Sequence, residues 1–266
     1  MRFRKRPNGL FEPEKPGRLE PPSLIRGGAH LGPVAAGGGP AFTPADLSDL
    51  IFWMDTDDLG AADSLVSSWV AQNDAGIDFT ASGSQRPTVR TTQFGGQKAI
   101  ENLGNDELNE TNITHSIGTG GFYIAFVMRP TALTGFPSFV VWDSSLDAGL
   151  YYNVGQTRWE FPTGTDLAYQ SLTNLATNTN YVIENWRDSS DDSIRVRQNG
   201  TIDTNNRSSG VNLGTTDDFM LLDTFFGGDD LDGFLGDVIV TSSTPTATER
   251  DNTKTYLADK FGITVS

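Results

Sequence analysis

From Asp49 onward the chain runs as short apolar segments, each cut off by Gly, Asn, Asp, Ser or Thr. Segments this short are marginal as helices but are long enough to be strands. The punctuation therefore predicts an antiparallel all-β domain. Expected strands are Leu50–Met54, Leu65–Val70, Lys98–Glu101, Phe122–Arg129, Ser138–Trp142, Leu150–Val154, Thr157–Phe161, Tyr181–Arg187, Ser193–Gln198, Phe219–Asp223 and Phe234–Thr241. Phe122–Met128 is apolar on both faces, with Phe122, Ile124, Phe126 and Met128 on one and Tyr123, Ala125 and Val127 on the other, so it should be central and covered twice. Ser193–Gln198 alternates, and Asn199-Gly200 after it signals a type I′ hairpin. One helix is expected, at the C-terminus. Thr246-Ala247-Thr248-Glu249 is a capping box, Tyr256, Leu257 and Phe261 form an apolar stripe, and Gly262 is a left-handed cap. It should pack outside the sheets.

Composition changes near residue 42. Residues 1–42 hold 7 of the 13 Pro and 8 of the 29 Gly, which rules out a helix or an internal strand. The domains are therefore an extended arm, 1–43, and a β-domain, 44–266. Charge divides at the same place: the arm has seven basic and three acidic residues, +4, and the rest twelve and thirty-one, −19. A chain at −15 overall is repelled by phosphate backbones and anionic lipid, so neither nucleic acid nor a membrane is an expected partner. The longest apolar run, Phe122–Met128, is far short of the roughly 20 residues of a membrane helix. The basic start is followed by Pro and Glu rather than an apolar signal core, so a soluble, uncleaved protein is expected.

There is no Cys, which excludes disulfides, Cys-ligated metals and thiol nucleophiles. With only His30 and His115, a Ser-His-Asp triad would have to rest on one of them, and neither sits in a supporting motif. His115 follows Asn112-Ile113-Thr114 in what reads as a polar loop, so an exposed imidazole is expected.

The order of segments resembles a known family. Leu50-Ile51-Phe52-Trp53-Met54-Asp55, then Val66-Ser67-Ser68-Trp69 and Arg86-Pro87-Thr88, resemble the start of concanavalin A-like lectin/glucanase domains of the laminin-G-like kind found in phage virion and bacterial surface proteins. Gly121–Val127 is similar to the family's first long core strand, and Tyr181–Gly200 to its strand, turn and strand. Asp232–Val240, followed by a helix with Glu249-Arg250 and Tyr256-Leu257-Ala258, resembles its close. The likeness covers residues 44–266. It implies a two-sheet antiparallel jelly roll with a C-terminal helix, in agreement with the strand reading.

Glycoside hydrolases of that superfamily carry Glu-x-Asp-x-x-Glu on one strand, so that acid and nucleophile share a face. That pattern is absent. Glu101, Glu160 and Glu184 are isolated, Glu184 reads as structural, and no catalytic residue is assigned; the expectation is a protein without enzymatic activity. The resemblance allows calcium at a loop rim, where Asp229-Asp230-x-Asp232 would supply oxygens, but a solvated acidic turn is the simpler reading, and neither a cofactor nor a metal site is assigned. Trp53, Trp69, Trp142, Trp159 and Trp186 fall in strands and read as core. Tyr151, Tyr152 and Trp159, on an expected hairpin, are the candidates for a glycan-stacking surface.

The arm is the candidate attachment device. Ordering it costs about 1–2 kcal/mol per residue, which only a partner can offset. Arg2, Arg4, Lys5 and Arg6 supply charge, and Phe3, Leu10, Phe11, Leu24 and Ile25 are among its apolar anchors. The expected function is a phage virion structural protein, a capsid decoration or tail-associated component. Its arm would bind other virion proteins or neighbouring copies in a homo-oligomer, and its sandwich would face host surface glycans. The alternative is a free carbohydrate-binding lectin domain of a bacterial surface protein.

Overall fold

A computed structural model describes residues 3–5, 11–13, 41–74, 76–104, 106–134, 138–142, 148–163, 166–170, 174–188, 193–203, 207–208, 212–222 and 231–266. The chain divides into two units, Met1–Pro40 and Ala41–Ser266. In the first, β1 (Phe3–Lys5) pairs antiparallel with β2 (Phe11–Pro13), with Arg4 opposite Glu12. Both segments are extended backbone. Pro13 ends its strand in a two-stranded ribbon, a place where a missing amide donor is tolerated. Arg2, Arg6, Leu10, Leu24 and Ile25 lie outside the described residues.

The second unit begins with β3 (Leu50–Met54), β4 (Ser68–Val70), β5 (Asp78–Thr80), β6 (Thr88–Phe94), β7 (Gln97–Leu103) and β8 (Leu108–Thr114). It continues with β9 (Phe122–Pro130), β10 (Ser138–Trp142), β11 (Ala148–Asn153), β12 (Arg158–Thr163), β13 (Asp166–Gln170) and β14 (Tyr181–Asp188). Last come β15 (Ser193–Gln198), β16 (Thr201–Ile202), β17 (Arg207–Ser208), β18 (Thr216–Leu221), β19 (Asp232–Thr241) and helix α1 (Ala247–Phe261). One sheet runs β13-β12-β11-β10-β18-β8-β5-β4; the other runs β16-β15-β14-β9-β19-β7-β6, with β17 on β15 and β3 on β19. Long β19 has β9 on one side, and on the other β7 along its first half and β3 along its second.

The main core lies between these sheets. Phe52 of β3 meets Phe79 of β5 and Phe219 of β18 edge-on, with ring centroids 5.1 and 5.3 Å apart, and Phe122 of β9 stacks on Phe161 of β12 at 5.0 Å. The second unit is thus an antiparallel β-sandwich with a C-terminal helix. Both faces of β9 are buried as expected: Phe122, Ile124, Phe126 and Met128 enter the main core, and Tyr123, Ala125 and Val127 enter a second core under α1. That helix is closed by the Thr246–Glu249 capping box and by Gly262 at φ 63°. Gly236 is required beneath it, because a Cβ there would stand 2.9 Å from the Phe261 ring and from Val127. Asn199 and Gly200, with φ of 47° and 89°, make the two-residue turn into β16.

Candidate functional site

The expected glycan-stacking residues are buried, with Tyr151 3%, Tyr152 2% and Trp159 0% exposed. Strands β11 and β12 lie inside the sheet order, so one face of their hairpin is the main core. Tyr152 and Trp159 point into it, edge to face at 5.5 Å. Tyr151 hydrogen-bonds to the carboxylate of Glu160, which also receives Asn153 Nδ2 at 2.9 Å and Arg158 Nε at 2.6 Å. No ring among the three has a face free for a sugar, which corrects that expectation. Of the acidic group, Asp229 and Asp230 lie outside the described residues and Asp232 begins β19. Phe3, Arg4, Lys5 and Phe11 belong to the β1–β2 pair.

Chemistry gathers instead along β5, β8 and β18, two of which carry too little apolar sequence to be recognised as strands. Strand β8, Leu-Asn-Glu-Thr-Asn-Ile-Thr, buries only Leu108 and Ile113, and Asn112 at φ 58° breaks its alternation. What reads as a polar loop is an internal strand between β18 and β5. His115, just past its end, is therefore not exposed. Its ring stands edge-on to Phe219, Nε2 lies 2.6 Å from Asp217 Oδ2, and Nδ1 accepts the Ile117 amide at 3.3 Å. The Nδ1 acceptor leaves Nε2 as the nitrogen that donates to Asp217. With both nitrogens engaged, His115 activates no serine: the Ser116 hydroxyl donates to that of Ser242, at 2.9 Å.

His115 forms one wall of a cleft of about 550 Å³. Asp49, Asn73, Asp74, Thr114, Ser116 and Ser242 bring polar groups to it, and Ile51 and Ile77 give it an apolar floor. Local geometry fixes several of these. Asp49 sits at φ 55°, its carbonyl accepting the Ser242 amide at 2.8 Å. Asn73 is pinned by the Trp53 amide and the Ile51 carbonyl, and Asp74 Oδ1 accepts the Gly76 amide at 2.8 Å.

Further along the same strands three carboxylates converge. Asp78 Oδ1 accepts the Ser68 hydroxyl at 2.6 Å, and Asp218 Oδ1 accepts the Asn112 amide at 2.9 Å. Burial pushes the Glu110 carboxyl up from its ordinary range, a backbone hydrogen bond from Asp78 opposes this, and the charges of Asp78 and Asp218 add to the rise. Asp218→Asn keeps an acceptor for Asn112 and removes one like charge, so Glu110 should then titrate at lower pH. Carboxyl NMR titration checks this, and an unmoved Glu110 would mean that Asp218 does not act on it.

No family model and no curated protein matches this chain. Solved structures do. Trypanosoma rangeli sialidase is similar over 82% of this chain and 34% of its own, with a TM-score of 0.54 and 11% identity. Domain 4 of AbnA, a GH43 extracellular arabinanase from Geobacillus stearothermophilus, in complex with arabinotriose, is similar over 80% of this chain and 98% of its own, with a TM-score of 0.55 and 12% identity. What the chain shares with them is a β-sandwich fold. The chain spans about a third of the sialidase's length, and the likeness is one of fold.

These neighbours overturn the expectation of a protein without enzymatic activity. They are an enzyme and a domain of an enzyme, so the architecture is glycosidase-like even without Glu-x-Asp-x-x-Glu on one strand. A motif confined to one strand does not register carboxylates such as Asp78, Glu110 and Asp218, which stand on three strands.

Proposed function

We propose that this chain is a lectin-like carbohydrate-binding domain, fastened to a phage virion by its basic N-terminal arm and presenting its sandwich to host surface glycans. The carbohydrate part rests on the likeness to the arabinanase domain, which has nearly the same extent and whose structure holds arabinotriose. The cleft beside His115 has the chemistry a sugar needs. The carboxylates of Asp49 and Asp74 can accept hydrogen bonds from its hydroxyls. The attachment part rests on opposite charges: an arm at +4 suits an acidic receiving surface, such as the −19 region of a neighbouring copy or another virion protein.

Calorimetric titration of the full chain with arabinotriose and with a panel of host-type oligosaccharides tests the first part, with released sugar followed in parallel to detect turnover. Saturable binding is expected, and a chain that binds no glycan would end this reading. For the second part, replacing Arg2, Arg4, Lys5 and Arg6 with Ser should leave sugar binding intact and weaken assembly, most at low salt. Assembly unchanged at every ionic strength would count against the basic tip as the anchor.

A further inference from the structure

We infer that the cleft beside His115 selects neutral oligosaccharides and rejects acidic ones; this deepens the carbohydrate-binding reading above and rests on it. Asp49 and Asp74 both line the cleft, and among the described residues no lysine or arginine does. Neither carboxylate is in an ion pair among the described residues; the Gly76 amide occupies one oxygen of Asp74, and nothing among the described residues hydrogen-bonds the carboxylate of Asp49. The third carboxylate close by, Asp217, is spent on His115.

Carboxylates are acceptors only, so a ligand here must bring donors. Neutral sugars bring hydroxyl groups, and a hydroxyl donating to a carboxylate makes a charge-assisted bond, stronger than a neutral one. A sialic or uronic acid brings a carboxylate of its own. It would meet two carboxylates of like sign and, among the described residues, no guanidinium fork to hold it, within a region that is −19 in total. The remaining polar groups do not reverse this balance. The amide of Asn73 is engaged with backbone, and the Ser116 hydroxyl donates to that of Ser242, which donates to the Asp49 carbonyl.

The test compares arabinotriose and lactose with trigalacturonate and 3′-sialyllactose on the full chain by calorimetry, in the native protein and in the Asp49→Asn/Asp74→Asn double variant. Asparagine suits both positions: it tolerates φ 55° at 49, and at 74 it keeps an acceptor for Gly76. In the native protein a neutral ligand should bind at least about tenfold more tightly than either acidic one, and raising the salt should narrow the gap. In the variant the gap should shrink from both sides, as neutral binding weakens and acidic binding strengthens. Acidic ligands bound as tightly as neutral ones would overturn the inference and leave the lectin reading standing. So would neutral binding that the double variant does not change, because the sugar would then sit elsewhere. Failure of all four ligands to bind would overturn the inference together with the reading on which it rests.

Discussion

Replacing Arg197 with Met is expected to cost about 3–5 kcal/mol of unfolding free energy, because it leaves a buried carboxylate without its counter-charge. Glu184, on β14, is 0% exposed. It receives Arg197 Nε at 2.5 Å and Nη2 at 2.6 Å, and the Tyr123 hydroxyl at 2.8 Å. The third guanidinium nitrogen reaches Asp251 of α1 at 2.5 Å. One arginine thus joins two strands to the first half of the helix. Burial already pushes the Glu184 carboxyl above its ordinary range, with Arg197 pulling it down; the variant loses that pull. A carboxyl raised in the folded state contributes stability below its unfolded pKa and loses it as the pH rises through the folded value. The deficit of Arg197→Met should therefore be largest at neutral pH and shrink toward acid. Urea unfolding across pH measures it. The Glu184→Leu/Arg197→Met pair should recover most of the loss, because an apolar pair leaves no charge stranded; a pair as damaged as the single change would refute the electrostatic account.

How much of this was legible in the sequence follows from how each segment signals. The two faces of Phe122–Met128 and the caps of the helix could be read because their periodicity is local and unbroken. Strands β5 and β8 could not, because they bury few apolar residues, and the pairing of β8 with β18 shifts register between Asp217 and Phe219, beside the left-handed Asn112. Alternation fails as a guide where the backbone itself stops alternating. The candidate site was harder still. Its groups come from the turn before β3, the Asn73–Asp74 turn, the end of β8 and the residue after β19, and His115 finds its partner 102 positions away. Tyr151, Tyr152 and Trp159 misled for a related reason: a hairpin suggests exposure, but their strands were placed in the sheet by β10 and β13 on either side.

At its other end the helix is held by a second buried cluster, and Lys260→Met should be comparably damaging, about 3–5 kcal/mol. Asp237, at the middle of β19, is 0% exposed. Its Oδ1 accepts the Thr56 amide at 2.9 Å and the Thr56 hydroxyl at 2.8 Å, and the Lys260 ammonium lies 2.9 and 3.0 Å from its two oxygens. Lys260 also reaches Asp55 at 2.6 Å and Asp57 at 3.4 Å, so a single cation faces three carboxylates at close range. Burial alone would lower the lysine, but Asp237 and Asp55 more than offset it and hold the ammonium above its ordinary range, which keeps it charged. Without that ammonium, Asp55 and Asp57 repel the fully buried Asp237 carboxylate, while the Thr56 hydrogen bonds remain to fix Asp237 in place. The loss should appear first where the cluster sits. Hydrogen exchange ought to speed up in the last turns of α1 and around Thr56 before it does in β9, which both cores enclose. Uniform acceleration through the whole chain would mean that Lys260 holds the fold in general and not the helix end in particular.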